Sequence, residues 1–372
     1  MPRATTILRL IPSEYHYARR VVVGLGRYAR EQAGWAVVPL DPSRTGPEQL
    51  AELVDKHQAA GVVAFSANAK IDQAVADLDV PAVNVSARLT DSSLVRVIPD
   101  NFHVGRLAGE HLIAQGLRNL AYAGLREVYY SYCRRDGFLA AAREAGLPCD
   151  VHEPQNGRNL SRWLERLEKP VGIMGCNDLL ASDITSMAID MGLDVPGQVP
   201  VIGADDSEIH VETARVLLSS VPTEGDRVGY EAGAVLSGII AGGKRPDQPV
   251  LIKPTHVSVR ASTQFVPIDD PQLAEAIRHL RRRACEANVD KIIRETGVAR
   301  RTFYRAVQSA LGRTPHEEIR RIQMERGREL LSQSTLSVAE IAQRCGFSRS
   351  NYFAETFGKH HGQTPTEFRQ GL

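Results

Sequence analysis

The last hundred residues carry one short pattern twice. Ile293, Gly297 and Phe303 recur, with the same offsets of 4 and 6, as Ala342, Gly346 and Tyr352, displaced by 49 residues. Downstream, Gly312-x-Thr314-Pro315-x-Glu317 returns as Gly362-x-Thr364-Pro365-x-Glu367, displaced by 50. A repeated unit with apolar residues at helical spacing on both sides of a glycine reads as helix, tight turn, helix. In the second copy Val338, Ile341 and Ala342 form an apolar face, and Gly346 allows a turn with positive φ. Ser348 is then placed to cap a helix whose Tyr352, Phe353 and Phe357 point to the core. Any helical hairpin supplies one such match. Two in register predict paired helix-turn-helix units over about 288–309 and 337–358.

Charge supports that reading once it is divided. The 372-residue chain has a net charge of only +1, which taken whole argues against a nucleic-acid binder. Residues 271–372, however, hold 18 Lys+Arg against 11 Asp+Glu, while residues 1–270 hold 27 against 33. The carboxy-terminal part, at +7, is expected to meet a polyanion, and the rest, at −6, is not. The second helix of each unit should enter the major groove by its amino-terminal end. Its outward residues are Arg300, Arg301, Thr302 and Arg305 in the first unit, and Arg349, Ser350, Asn351, Ala354 and Glu355 in the second. Arginine there pairs with guanine edges or holds phosphate. Glu355 either accepts from cytosine N4 or makes the second unit the weaker contact. Residue by residue, a solvated basic helix face looks the same; the repeat is what separates the two.

Residues 1–265 follow another rhythm. Short apolar runs at 7–11, 35–40, 61–66, 82–85, 119–125, 171–176 and 199–203 alternate with helical patterns at 46–57, 101–115, 131–145 and 178–191. Such alternation predicts βαβ units, hence parallel sheets covered by helices, and the length favours two lobes. Ligands in such sheets bind beyond the carboxyl ends of the strands. Glu14, Asp100, Asn177 and Asp205 each follow an apolar run, and Arg134 opens the 131–145 helix. Carboxylates, an amide and a guanidinium at strand ends suit a polyhydroxyl ligand, because each hydroxyl both donates and accepts. Taken singly, Asp or Asn after a strand is more often the cap of the next helix.

Val21-Val-Val-Gly24-Leu-Gly26-Arg-Tyr-Ala29 imitates a dinucleotide fingerprint, with Asp41 near where a ribose acceptor belongs. It would imply an NAD(P)-dependent oxidoreductase. Tyr17, Val21, Leu25 and Tyr28 instead form a helical stripe, and no catalytic triad or base stands out. Five widely spaced cysteines with no CxxC pair indicate neither a disulfide framework nor a zinc site. No apolar run reaches the roughly 18–20 residues of a membrane span, and residues 1–10 do not read as a leader. The expectation is a cytoplasmic protein without cofactor or metal.

Two family resemblances sharpen these readings. Asp100-Asn-x-x-x-Gly105-x-x-Ala108-x-x-His111-Leu112, Arg134-x-x-Gly137-Phe138, Asn177-Asp178-x-x-Ala181, Val201-Ile-Gly-Ala-Asp205-Asp206 and Ser220-Val221 come in order. Together they resemble the effector domain of LacI-type repressors and their periplasmic sugar-binding relatives. That resemblance implies that Asp100, Arg134, Asn177 and Asp205 contact a sugar. The amino-terminal DNA-binding headpiece usual in that family is not seen before the first strand, so DNA binding is expected only from the other end.

There, Ser337-x-x-Glu340-Ile341-Ala342-x-x-Cys345-Gly346-Phe347-Ser348-x-x-x-Tyr352-Phe353-x-x-x-Phe357 and Gly362-x-Thr364-Pro365-x-Glu367-Phe368-Arg369 resemble the AraC-type DNA-binding domain. That family places two helix-turn-helix units in successive major grooves, joined by a helix expected here near 315–332. Gly327 stands in this helix where alanine is usual, at about 1 kcal/mol in propensity.

The expected architecture is therefore an α/β two-lobed periplasmic-binding-protein-like domain with parallel sheets (1–265), a linker (266–271), and an all-α domain with two helix-turn-helix units (272–372). The implied function is a sugar-responsive transcription regulator, an activator of pentose utilisation genes. It would bind operator DNA and a monosaccharide such as D-xylose, as a homodimer, with RNA polymerase as partner. The competing regulator reading makes the first 265 residues a dimerisation module that answers no small molecule.

Overall fold

A computed structural model describes residues 5–154, 159–268, 270–286 and 288–371. The first lobe is built from β1 (Thr6–Leu10), α1 (His16–Tyr28), β2 (Ala36–Leu40), α2 (Leu50–His57), β3 (Ala59–Ala64), α3 (Ala69–Ala76), β4 (Ala82–Asn84) and β5 (Val95–Pro99). The chain then crosses into a second lobe. It comprises α4 (Asn101–Ala114), β6 (Asn119–Ala123), α5 (Tyr129–Glu144), β7 (Cys149–His152), α6 (Leu160–Arg166), β8 (Val171–Gly175), α7 (Asp178–Asp190), β9 (Val201–Ala204), α8 (Glu208–Thr213) and β10 (Ser219–Val221). A return crossing delivers α9 (Gly225–Ile240) and β11 (Val250–Ile252) to the first lobe.

The strand orders are β11-β5-β4-β3-β1-β2 and β10-β9-β8-β6-β7, with parallel pairing between neighbours. The inner strands read as unbroken apolar runs because both faces are covered: Ile7, Leu8 and Leu10 of β1 are all buried. Sequence patterning had marked β5 only as the apolar run before Asp100, and it had not marked β7, β10 and β11 at all. These last three are three or four residues long and lie at sheet edges.

The glycines of the dinucleotide-like run have a different use. A Cβ on Gly24 would lie 1.8 Å from the Asp226 carbonyl oxygen, and one on Gly229 would lie 1.9 Å from that of Val21. Helices α1 and α9 thus cross backbone against backbone, and the run is a helix–helix seam rather than a phosphate loop. The second lobe repeats the device, with Gly105 of α4 against the Arg134 carbonyl and Gly137 of α5 against that of Phe102. Asp41 is occupied locally, accepting from the Ser43 amide and hydroxyl at 2.9 and 2.7 Å.

The carboxy-terminal domain is helical: α10 (Pro271–Arg282), α11 (Val289–Thr296), α12 (Arg300–Leu311), α13 (Pro315–Gln333), α14 (Val338–Arg344), α15 (Ser350–His361) and α16 (Pro365–Gln370). Helices α11–α12 and α14–α15 are the two helix-turn-helix units. One apolar cluster gathers Ile277, Phe303, Val307 and Ile319; the other gathers Met324, Leu331, Ile341, Phe353 and Phe357. Helix α13 contributes to both. The repeated Gly-x-Thr-Pro-x-Glu is a helix stop followed by a helix start. Thr314 and Thr364 cap the next helix, whose Glu317 and Glu367 reach back in a capping box.

The two displacements, 49 and 50, have a structural cause. Gly297 precedes α12 by three residues, whereas Gly346 precedes α15 by four. The second turn is one residue longer, so the counterpart of buried Phe303 is Phe353, not Tyr352. Tyr352 is 54% exposed, and its ring lies against Phe347 rather than in the core. Ser348 caps nothing, since the longer turn puts Arg349 at the N-cap without a side-chain bond.

The expected linker is packed at its start. Phe265 belongs to a core of the second lobe, and Val266 to the first helical cluster. Asp270 then caps α10, accepting from the amides of Gln272 and Leu273. Position 269 lies outside the described residues. Among the described residues, no helix is long and apolar enough to cross a membrane, and no cluster of side chains suited to a metal ion occurs.

Candidate functional site

A cleft of about 310 Å³ opens between the lobes at the carboxyl ends of both sheets. The first lobe lines it with aromatic side chains, among them Tyr15 and Phe65, whose rings stack at 6.1 Å. The strand-to-helix turns leading into the second lobe's helices place Asn101, Asn177 and Asp205 there, and the first lobe adds Glu14, His16, Arg19 and Arg88. Arg134 joins them from the second turn of α5, rather than from the first turn as the 131–145 pattern had suggested. At the floor the lobes touch. The Tyr129 amide donates to the Arg88 carbonyl at 3.1 Å, and the Tyr130 amide donates to that of Ala87 at 2.9 Å. These are amides that α5 cannot satisfy itself.

Arg134 organises the site. Its Nε donates to Asn101 Oδ1 at 2.9 Å, Nη1 to the Cys176 carbonyl at 2.5 Å, and Nη2 to Asp205 Oδ1 at 2.9 Å. Its guanidinium carbon lies 4.8 Å from the centre of the Tyr130 ring. Burial works against the Arg134 charge, but Asp205 beside it, Tyr130 and Cys176 together outweigh burial and raise its pKa. Of five N–H donors, three are spent on protein, leaving one on each terminal nitrogen. Burial pushes the Tyr130 phenol up to about 12, so it stays a neutral hydroxyl. Asn177 accepts from the Leu180 amide as the α7 cap while its Nδ2 reaches the Tyr130 hydroxyl at 3.3 Å. Being a cap and facing the cleft are compatible here. Glu14 sits exposed on the rim.

Asp100 does not line the cleft. Its carboxylate caps α4, accepting from the His103 amide at 3.1 Å and meeting His103 Nδ1 at 2.8 Å. Its neighbour Asn101 lines the cleft instead. The capping rule held the signal for that exchange, since an aspartate directly before a helix is first a cap. The aromatic lining from Tyr15 and Phe65 had no such signal, because contact across two lobes depends on tertiary folding.

On the helical domain, Arg300, Arg301 and Arg305 are exposed at the start of α12, and Thr302 is half-buried beside them. Arg300 is already engaged, paired with Asp290 and lying over the Tyr304 ring at 5.1 Å. With the longer second turn, the counterparts of Arg300, Arg301 and Arg305 are Ser350, Asn351 and Glu355. Arg349 is the cap, and Ala354 is only half-exposed. Lys359 holds Glu355 at 2.6 Å. The first unit thus offers arginines and the second an amide and a paired carboxylate.

A two-lobed binding domain with a polar interlobe cleft, continuous with a double helix-turn-helix domain, defines a ligand-responsive transcription regulator. Residues 14–160 match the family described as periplasmic binding proteins and sugar binding domain of LacI family, residues 109–263 match a periplasmic binding protein-like domain, and residues 292–371 match a helix-turn-helix domain. The xylose operon regulatory protein of Escherichia coli K12 is 30% identical, with 95% of this chain and 94% of that protein covered. Its namesake from Haemophilus influenzae is 26% identical, with 95% of each chain covered. Among solved structures, a xylose-binding transcription activator, XylR, superposes with a TM-score of 0.63 at 27% identity, over 99% of this chain and 98% of that one. The chain belongs to the family of xylose operon regulatory proteins. It is a sugar-responsive, DNA-binding transcription regulator of the AraC type and not an enzyme.

Proposed function

We propose that the chain is a cytoplasmic, D-xylose-responsive activator of pentose utilisation genes. It acts as a homodimer on operator DNA and engages RNA polymerase when the sugar is bound. The observation that carries the sugar reading is the pair of buried Arg134 and half-buried Asp205, 2.9 Å apart in the interlobe cleft. Asp205 Oδ2 and the spare Arg134 donors can take adjacent hydroxyls, while Asn177 and the rim carboxylate of Glu14 can serve the others. Asn101 replaces Asp100 in the proposed set. A cleft of about 310 Å³ suits a monosaccharide better than an oligosaccharide. The relatives' printed names point to xylose.

The DNA contacts are assigned to Arg300, Arg301, Thr302 and Arg305, with Arg349, Ser350, Asn351 and Glu355 from the second unit. The effector domain is taken as residues 1–265 and the DNA-binding domain as 272–372, with 266–271 between them.

Titration calorimetry of the full chain against pentoses and hexoses tests the sugar reading. D-xylose should bind most tightly of the panel, and its binding should alter affinity for a duplex that the protein selects from random sequence. Sedimentation with and without sugar tests the dimer. If no sugar releases or takes up heat, and none shifts thermal denaturation, the effector reading fails and a ligand-independent dimerisation domain takes its place.

A further inference from the structure

The DNA-binding domain is fastened to the hinge between the lobes. The chain crosses between lobes three times, and the third crossing runs from β11 in the first lobe to Ser258, which bonds backbone to backbone with Ser220 of β10 in the second. Thr255 and His256, midway along it, are buried. Helix α13 grips both of them. Arg328 Nε donates to the Thr255 carbonyl, and Gln333 Nε2 lies 2.8 Å from His256 Nε2.

The hydrogen bonds around His256 have one consistent direction. An amide nitrogen only donates, so His256 Nε2 accepts from Gln333 and the imidazole proton sits on Nδ1. Nδ1 then donates to Thr255 Oγ1 at 2.9 Å. The Thr255 hydroxyl in turn donates at 2.6 Å to Glu224, which lies on the second crossing just before α9. On the other side, Ser258 Oγ donates at 3.0 Å to Asp206 Oδ2, and Arg260 holds Asp206 Oδ1 at 2.8 Å. Asp206 directly follows Asp205, the partner of Arg134, and both have positive φ, 50° and 105°. A continuous set of contacts therefore runs from the cleft through the crossing to the end of α13. The same region encloses a cavity of about 640 Å³ lined by Asp205, Asp206 and His256 together with residues 332–335.

The other end of α13 is tied elsewhere. Arg313, two residues before α13, donates at 2.5 Å to the Ala114 carbonyl at the end of α4 in the second lobe. Between these fastenings α13 supplies Ile319 to one helix-turn-helix core and Met324, Leu330 and Leu331 to the other. Lobe closure is absorbed in the crossings, so a helix held at one end by a lobe and at the other by a crossing must turn when the lobes move.

We infer that Arg328 and Gln333 are the coupling contacts of this regulator, passing lobe closure to α13 and so to the relative placement of its two helix-turn-helix units. The inference rests on the sugar-responsive reading and adds the intramolecular route. Sugar can drive the change only through its different affinity for the two placements.

The test uses the full chain, D-xylose, and a duplex that the wild type selects from random sequence. Gln333 is exposed, so Gln333→Leu should leave the fold intact; Arg328→Met combined with it forms the second variant. Both should bind D-xylose within about twofold of wild type, while the sugar-dependent change in duplex affinity collapses to about twofold or less. Variants that keep the wild-type sugar response overturn the inference, and so do variants that lose D-xylose binding itself. A second readout needs no sugar. By reciprocity, duplex binding must alter amide hydrogen exchange at residues 253–260 in the wild type and not in the variants; an unaltered wild type overturns the coupling. Failure of the wild type to bind D-xylose defeats the functional reading instead, and the exchange experiment still decides the route.

Discussion

Arg134 and Asp205 form an unequal pair: at 2.9 Å, the guanidinium is 4% exposed and the carboxylate 26%. The two sides should therefore fail differently. Arg134→Ala removes the donors that serve Asn101, Cys176 and Asp205 at once, and breaking a buried pair in this way costs about 3–5 kcal/mol. Asp205→Asn keeps an acceptor oxygen for Arg134 and tolerates positive φ; the buried guanidinium loses its counter-charge, but the retained acceptor should keep the loss of apo stability below that of Arg134→Ala. The asparagine variant should nonetheless lose most of the stabilisation that D-xylose gives, because the charged acceptor facing the cleft is gone. Thermal denaturation with and without D-xylose distinguishes the two. A full sugar-induced shift in Asp205→Asn would exclude Asp205 from the site.

Arg300 and Arg301 are adjacent, yet their substitutions should not be equivalent. Arg300 is paired with Asp290 and lies over Tyr304, whereas Arg301 is exposed at the tip of α12. Arg301→Ala is expected to cost about 1–3 kcal/mol on the selected duplex and much less on random DNA, the signature of a base contact. Arg300→Ala should weaken both alike and by less. Equal losses for Arg301→Ala on the two duplexes would make it a phosphate contact.

Legibility followed the range of the interaction. The helix-turn-helix repeat and the inner parallel strands are local patterns, and each was readable from spacing; the Thr-Pro-x-Glu repeat was visible too, though its capping role emerged only with the fold. What escaped depended on partners distant in the chain. The stripe through Val21 and Leu25 put Gly24 on a helix, but nothing local shows that Asp226, some 200 positions later, packs its backbone against it. Tyr352 matches Phe303 by offset, and only the extra residue in the second turn moves the buried role to Phe353. Asp100 was read as the ligand group after its strand, but the α4 cap claims it and leaves its neighbour Asn101 for the cleft.

Two buried histidines should make the fold sensitive to acid. Burial lowers His111 to about 3 and His256 to about 4, against about 6.5 when unfolded. Both are neutral in the fold, and the unfolded chain binds the extra protons. Their contribution is thus fully present above about pH 6.5 and is lost as pH falls toward 4 and then 3, at about 1.4 kcal/mol per pH unit for each. Burial alone would raise Glu318, but Arg321, Arg281 and Arg313 outweigh it and hold it well below the usual range, so its loss comes at lower pH. Urea denaturation between pH 7 and 5 should show the slope. His111→Gln, whose amide can still meet Thr263, should reduce it by about 1 kcal/mol per pH unit averaged over that window. An unchanged slope would mean that His111 does not titrate between fold and unfolded chain.

Gly327 supplies the last test, because two effects oppose each other there. In α13 an alanine would gain about 1 kcal/mol of helix propensity over glycine. Its Cβ, however, would lie 2.9 Å from two ring carbons of Phe353, the buried anchor of α15. A phenyl ring wedged among Phe347, Phe357 and the end of α14 has little room to retreat. Overpacking of this kind costs about 1–3 kcal/mol, so the clash should exceed the propensity gain. Gly327→Ala is accordingly expected to lower stability, with the damage confined to the second helix-turn-helix unit. Hydrogen exchange would locate it, rising in α14 and α15 while α11 and α12 stay protected. A variant more stable than wild type would show that α15 shifts freely on α13 and that the crossing does not require glycine.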